Sequence, residues 1–360
     1  MDICKYTEME LISKDCNTMR TIGLNIRDSI FSMMIVPFYA IAIRGFEDYW
    51  ETDLLDTESK RKVYDLRNSL KIYQDKFRRI KIRFLDADET SDLLFKNQLR
   101  FEILKKFNIH YNLGIYVTDE GKIVGNTQWI DSYFQLNKEP SEEVNNKSFD
   151  IGYMIGSAIQ KACNMNELLT LSESIQLGDC PRFGYIDFNT NRNSSIFRGS
   201  WDKEVQLAFL HLLSLINFEK YVLEKVLPID NEWLFRIKYV VIHYALSGIE
   251  QIYRHCNADN KMDVEIKNLF QTLLDDRWTF FPSEFRGCMM HYRLSDKENR
   301  SLIKEELFDE RLPFNGLIES IFHGLTFNEY NKILSSKRDE MELFLESQFN
   351  IDKQMIKYDL

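Results

Sequence analysis

The run Glu232-Trp-Leu-Phe-Arg-Ile-Lys-Tyr-Val-Val-Ile-His-Tyr-Ala-Leu-Ser-Gly-Ile-Glu-Gln-Ile-Tyr-Arg-His-Cys256 decides the fold class. It contains no proline, and its apolar positions Ile237, Tyr239, Val240, Val241, Ile242 and Leu246 fit a long helix rather than a strand. Pro228 stops whatever precedes it, and Asp230 or Asn231 can cap its first turn. Upstream, Glu204 to Leu227 is apolar on nearly every side, which predicts a central buried helix. Downstream, Asn257 to Lys261 reads as a turn, followed by helices over 263–277 and 283–294. Ser295-Asp-Lys-Glu298 and Thr326-Phe-Asn-Glu329 both have capping-box spacing. Each is expected to open a helix, the second running to about Phe349.

The first half of the chain is more mixed. Asp56 to Gln74 carries Val63, Leu66, Leu70 and Tyr73 on one helical face. Ile80-Lys-Ile-Arg-Phe84 alternates apolar and basic residues, the pattern of a short strand. Leu93 to Phe107 returns to helical spacing. Leu113 to Gly125 reads as a β-hairpin, with Asp119-Glu-Gly121 at its turn. The polar segment Lys138 to Lys147 contains Pro140 and is expected to be a loop and a domain boundary. Residues 171–199 are irregular, except for a strand at Gly184-Tyr-Ile-Asp-Phe188. The expectation is a mainly α protein. Residues 1–199 form a mixed α/β N-terminal part with a small β-hairpin, and residues 200–360 form a C-terminal helical bundle.

A net charge of −10 excludes a chain-wide basic field for nucleic acid but leaves room for a local patch. One such patch is Lys71 to Arg83, where Lys76, Arg78, Arg79, Lys81 and Arg83 interleave with Tyr73, Phe77 and Phe84. Cations beside stacking rings suit single-stranded RNA; the plainer reading is a solvated helix face. Six widely spaced cysteines, without a secretory leader pattern, fit reduced thiols in a cytoplasmic protein. Ser29 to Ile43 is uncharged but short for a spanning helix and is broken by Pro37. It reads as core, not membrane.

The sharpest chemistry lies in Trp278-Thr-Phe-Phe-Pro-Ser-Glu-Phe-Arg-Gly-Cys-Met-Met-His-Tyr-Arg293. Ser283 is placed to cap a helix whose first two turns hold Arg286 and His291. Arginine can orient a phosphate and stabilise its developing charge, and histidine can exchange a proton. The pair is five residues apart, so the side chains leave a helix about 140° apart. They meet on one phosphate only with help from a second helix or subunit. A second pair, Arg236 and His243, sits inside the apolar helix and reads as core. His255-Cys256 with Cys288-x-x-His291 lacks the two clean ligand pairs of a structural zinc site. No metal or cofactor is therefore expected. Gly152-x-x-x-Gly156 reads as a helix-packing surface, and the Asn/Ser-rich run 189–195 with Asp187 as a polar loop.

An Arg-x4-His pair at the start of a late helix, after a long amphipathic helix, resembles the HEPN superfamily over about residues 200–325. That resemblance implies an all-α bundle, often a homodimer, and in many members a metal-independent endoribonuclease of bacterial antiviral defence or toxin–antitoxin systems. It implies that Arg286 stabilises the scissile phosphate and that His291 does acid–base work, with both subunits lining one cleft. The family places a polar residue, often Asn or Asp, after the arginine; this chain has Gly287. The competing expectation is a non-catalytic helical protein that senses or binds a protein partner through its N-terminal part.

Overall fold

The computed structural model describes residues 2–98, 110–129, 141–165, 175–191, 196–198, 201–258, 262–351 and 356–358. The protein is mainly α-helical with one small antiparallel sheet. Four helices open the chain: α1 (Ile3–Asn25), α2 (Ser29–Trp50), α3 (Thr57–Ser69) and α4 (Phe77–Gln98). The hairpin β1 (Leu113–Thr118) and β2 (Ile123–Asn126) follows, turning at Gly121 with φ of 83°. After α5 (Ser141–Met165), β3 (Phe183–Phe188) joins β1 antiparallel, giving the order β2-β1-β3. The longer helices that follow are α6 (Lys203–Phe218), α7 (Glu232–Ala258), α8 (Val264–Leu274), α9 (Ser283–His291) and α10 (Phe327–Glu346).

Several local signals act as expected. Asn231 Oδ1 accepts from Leu234 N at 2.9 Å and caps α7. Thr326 and Glu329 form a reciprocal capping box at the head of α10. Helix α6 continues through a π turn at Glu219–Leu223 and a last short helical piece that ends before Pro228. Helix α2 is long and apolar enough to cross a membrane, and 72% of that window is buried inside the protein.

Other signals are overridden. Ile80 to Phe84 is not a strand but part of α4. Phe77, Ile80 and Phe84 are buried while Ile82 is 52% exposed, so the three-and-four spacing prevails over the alternating one. Residues 141–147 are not a loop; they open α5. Ser295 to Glu298 opens no helix. Asp296 Oδ1 accepts from both Glu298 N and Arg300 N, and Asn299 takes φ of 59°, so the side chain closes a tight turn instead. Ser283 is the first helical residue of α9; the capping position is Pro282, without a side-chain bond. Helix α8 stops at Leu274, α9 at His291 and α10 at Glu346. The ends of the expected Leu93–Phe107 helix and of the turn 257–261 lie outside the described residues.

One continuous apolar cluster draws on both sides of position 200. Helix α1 packs on α7, and β2 lies along α6. A buried ionic cluster ties these layers to α9. Arg236 Nε on α7 donates to Asp15 Oδ2 on α1 at 2.7 Å. Its Nη1 donates to the carbonyls of Cys288 and Met289, each at 3.0 Å. Those carbonyls belong to the last turn of α9, where no intrahelical donor serves them all. The guanidinium lies over the Tyr292 ring at 3.8 Å, and the Tyr292 hydroxyl also donates to Asp15. Tyr292 takes the left-handed conformation that ends α9, and its ring fills the space beside Gly45 of α2. A Cβ at Gly45 would meet that ring at 2.3 Å.

Arg236→Ala leaves Asp15 buried without its cation. It is expected to cost about 3–5 kcal/mol in urea unfolding. Gly45→Ala overpacks the α2–α9 contact and is expected to cost about 1–3 kcal/mol in the same measurement.

Candidate functional site

Helix α9 spans about two and a half turns, so it cannot hold Arg286 and His291 together at its start. Arg286 sits near the amino end, with its N–H bonded to Pro282 O at 3.1 Å. His291 is the last helical residue. The two nonetheless line the same cleft, of about 1080 Å³, which runs between α1, the end of α2, α9 and the turn at 293–300. Gly287 lies on the same wall, and a Cβ there would meet nothing within 4 Å. Packing therefore does not demand glycine at that position.

Among the charges that line the cleft or act on its residues, two groups differ. At its outer rim acids and bases neutralise one another. Lys5 pairs with Glu8 at 2.7 Å, and Arg300 pairs with Asp296 at 2.7 Å and Glu298 at 3.1 Å. Around Arg286 the balance is different. Arg44 is paired with Glu47 at 3.2 Å and Asp48 at 2.7 Å. Among the described residues, Arg67, Lys71 and Arg286 have no carboxylate within ion-pair distance. Arg67 lies in the last turn of α3, is only 6% exposed, and rests over the Tyr64 ring at 5.5 Å. Lys71 follows one turn later. Burial, then the charges of Arg67 and Arg286, push the Lys71 ammonium down to about 8. Burial, then Arg67, Lys71, Arg286 and Arg44, push the His291 imidazole down to about 4. At neutral pH His291 is thus an uncharged base beside fixed positive charge.

Helix α7 packs behind α9. Tyr239 packs edge-on against Phe285 with ring centroids 4.9 Å apart, and His243 and Tyr244 follow along the helix. Burial, then Arg277 and Arg286, hold His243 at about 3. Burial raises the Tyr244 hydroxyl to about 12, against the pull of Arg286 and Arg67.

The second expected pair is split, as its core reading requires. Arg236 is the centre of the Asp15 cluster, and His243 is buried among aromatic rings. The basic segment on α4 keeps its charges at the surface, but Tyr73, Phe77 and Phe84 are buried. Those rings are core and offer no stacking platform. Arg79 and Arg83 pair with Asp75 at 3.4 and 3.3 Å, and Lys81 pairs with Glu204. Lys76 and Arg78 remain exposed. One group of potential metal ligands stands together among the described residues, Asp202, Glu204 and His255, with ligand atoms within 4.8 Å of one another. Lys81 already neutralises Glu204, and Phe77 stacks on His255 at 4.6 Å. Cys256, Cys288 and His291 are not part of that group.

Sequence reading missed Arg67, and it assigned Lys71 to the α4 patch. A partial signal was present: Arg67 and Lys71 stand four residues apart, a repulsive spacing on one helical face.

Three histidines, His211, His243 and His291, are held well below their usual 6.5, chiefly by burial. Each stays neutral in the folded chain while the unfolded chain takes up a proton. The histidines' contribution to folding stability is therefore expected to be constant from about pH 6.5 upward and to fall on acidification towards pH 4. Each group contributes about 1.4 kcal/mol per pH unit at most. Urea unfolding at several pH values checks the slope. Proton-detected titration of His291 should find it neutral through the neutral range. No family model matches the chain, and neither a curated protein nor a solved structure does.

Proposed function

We propose that the protein is a metal-independent endoribonuclease effector, of the kind deployed in bacterial defence or toxin–antitoxin systems. The observation that carries this reading is the shared cleft. It holds an arginine without an acidic partner and a histidine held neutral among cations. Arg286 binds the scissile phosphate and stabilises its negative charge as bonds rearrange. His291 accepts the proton of the ribose 2′-hydroxyl. The 2′-oxygen bonds to phosphorus, the phosphorus–5′-oxygen bond breaks, and the departing oxygen takes a proton from water. The products are a 2′,3′-cyclic phosphate and a 5′-hydroxyl. Exposed Lys76 and Arg78 on α4 are the places where a longer RNA strand gains non-specific contact. A cytoplasmic homodimer belongs to the same reading, with both copies lining one cleft.

A second reading is favoured by a different surface. Phe149 and Tyr153, one turn apart on α5, are 74% and 73% exposed, and Gly152 and Gly156 between and beside them face open space. Such a face fits a non-catalytic protein that docks a protein partner.

The catalytic reading is tested with purified protein and single-stranded RNA in the presence of EDTA. Wild type is expected to cleave, and Arg286→Ala and His291→Ala each to lose about 100-fold or more in rate with unchanged thermal unfolding. Gly287→Asn is expected to fold normally and keep activity. Absence of cleavage by the wild-type chain, with both alanine variants retaining biological activity, overturns the catalytic reading and leaves the partner-binding one.

A further inference from the structure

Charged side chains are rarely enclosed without a counter-ion, because leaving water costs more than packing returns. Arg67 departs from that rule. It is 6% exposed and has no carboxylate partner among the described residues. Among the buried side-chain atoms without a hydrogen bond are Arg67 Nε, Arg286 Nε, Tyr239 Oη, Tyr244 Oη and His243 Nδ1. Such atoms occur elsewhere in the fold too, on ion-paired Arg44 and Arg338 among others; what sets Arg67 and Arg286 apart is that no carboxylate among the described residues lies within ion-pair distance of either guanidinium. The five atoms first named come from three elements, α3, α7 and α9. Tyr239 against Phe285 at 4.9 Å, and His243 against Tyr244 at 5.3 Å, join the α7 and α9 members. The charges of Arg67 and Arg286 both bear on Tyr244 and on Lys71. The neighbouring acids are occupied: Asp48 and Glu47 pair with Arg44, and Glu47 also takes the N–H of Leu54 at 3.1 Å.

We propose that Arg67, Lys71 and Tyr244, together with Arg286, form an anion pocket that receives a terminal phosphate monoester. A dianionic phosphate answers the net positive charge and accepts from guanidinium, ammonium and hydroxyl donors at once. The enclosure of Arg67 and Tyr244 selects the end of a ligand. A phosphodiester inside a chain has sugar on both sides and cannot be drawn in, whereas a phosphate at an end has three free oxygens and one tether. The pocket deepens the phosphate reading of the Arg286 cleft and rests on it, but it does not require that the cleft cleave RNA.

The test uses the full chain with inorganic phosphate, adenosine 5′-monophosphate and adenosine, followed by calorimetry and thermal unfolding. Phosphate and the monophosphate are expected to bind saturably and raise the Tm, and adenosine to do neither. Lys71→Gln and Arg67→Gln are each expected to weaken phosphate binding about tenfold or more. Each should also raise, or leave unchanged, the Tm of the ligand-free protein, because each removes an uncompensated positive charge. A purely structural Arg67 gives the opposite pattern, a lowered Tm with unchanged phosphate affinity, and that result overturns the proposal. If Arg67→Gln does not fold, half-buried Lys71 carries the test, and unchanged affinity in Lys71→Gln overturns it equally. No saturable phosphate binding by wild type also overturns it. Oligoribonucleotides with a 5′-phosphate or a 5′-hydroxyl separate the two sources of the monoester. Preference for the phosphorylated end assigns an RNA terminus, and equal binding beside tight monophosphate binding assigns a free nucleotide. Phosphate binding without RNA cleavage keeps the pocket and discards the nuclease. Cleavage without phosphate binding does the reverse.

Discussion

The arrangement of α1, α2, α7 and α9 depends on one buried ion pair, Arg236 with Asp15. The two residues are 221 positions apart, and both side chains are almost fully enclosed. The guanidinium also serves the carbonyl end of α9, so the same group that neutralises Asp15 terminates the helix carrying Arg286 and His291. The pair is not fully satisfied: Asp15 Oδ1 and Arg236 Nη2 make no hydrogen bond. By desolvation alone it is a costly way to hold helices together. What it supplies is position. An apolar contact would let α9 slide or rotate on α7, whereas a fork of directed N–H groups admits one placement of the Cys288 and Met289 carbonyls. Tyr292, stacked on Arg236 and seated beside Gly45, then sets how closely α2 approaches.

The second feature of the molecule is an excess of positive charge acting on His291 at the end of α9. Asp15 satisfies one buried arginine, but nothing comparable faces Arg67, Lys71 or Arg286 among the described residues. The contrast between the two arginine environments is informative because it occurs within one protein and one core. Arg236 shows that the chain pairs a buried guanidinium when its role is architectural. Arg67 and Arg286 have no carboxylate within ion-pair distance among the described residues, beside a histidine that their charges help to hold neutral. The proposed function rests on that combination of fixed cations and a neutral imidazole.

Much of the helical framework was legible from residue spacing. The α7 pattern, its Asn231 cap, the Thr326–Glu329 box and the hairpin around Gly121 are local statements, and the structure repeats them. The failures were local too. Ile80 to Phe84 satisfied two periodicities at once, and only burial of Phe77, Ile80 and Phe84 against the core chose the helical one. Ser295 to Glu298 had the spacing of a cap, but Asp296 between them bonded the free N–H groups first. Of the candidate site, Arg286 and His291 were visible as a pair. Their supposed proximity at a helix start was not what joined them, since the cleft reaches both ends of a short helix.

By itself, then, the amino-acid sequence determined the mainly helical class and the hairpin, and it singled out Arg286 and His291 as a candidate pair. These follow from side-chain periodicity, turn chemistry and functional-group identity, all of which act over a few residues. The tertiary structure alone decided which cations lack counter-ions, which aromatic rings are core, and which arginine is a strut and which faces the cleft. Charge compensation depends on groups hundreds of positions apart, as Asp15 and Arg236 are, and no local pattern records whether a partner arrives.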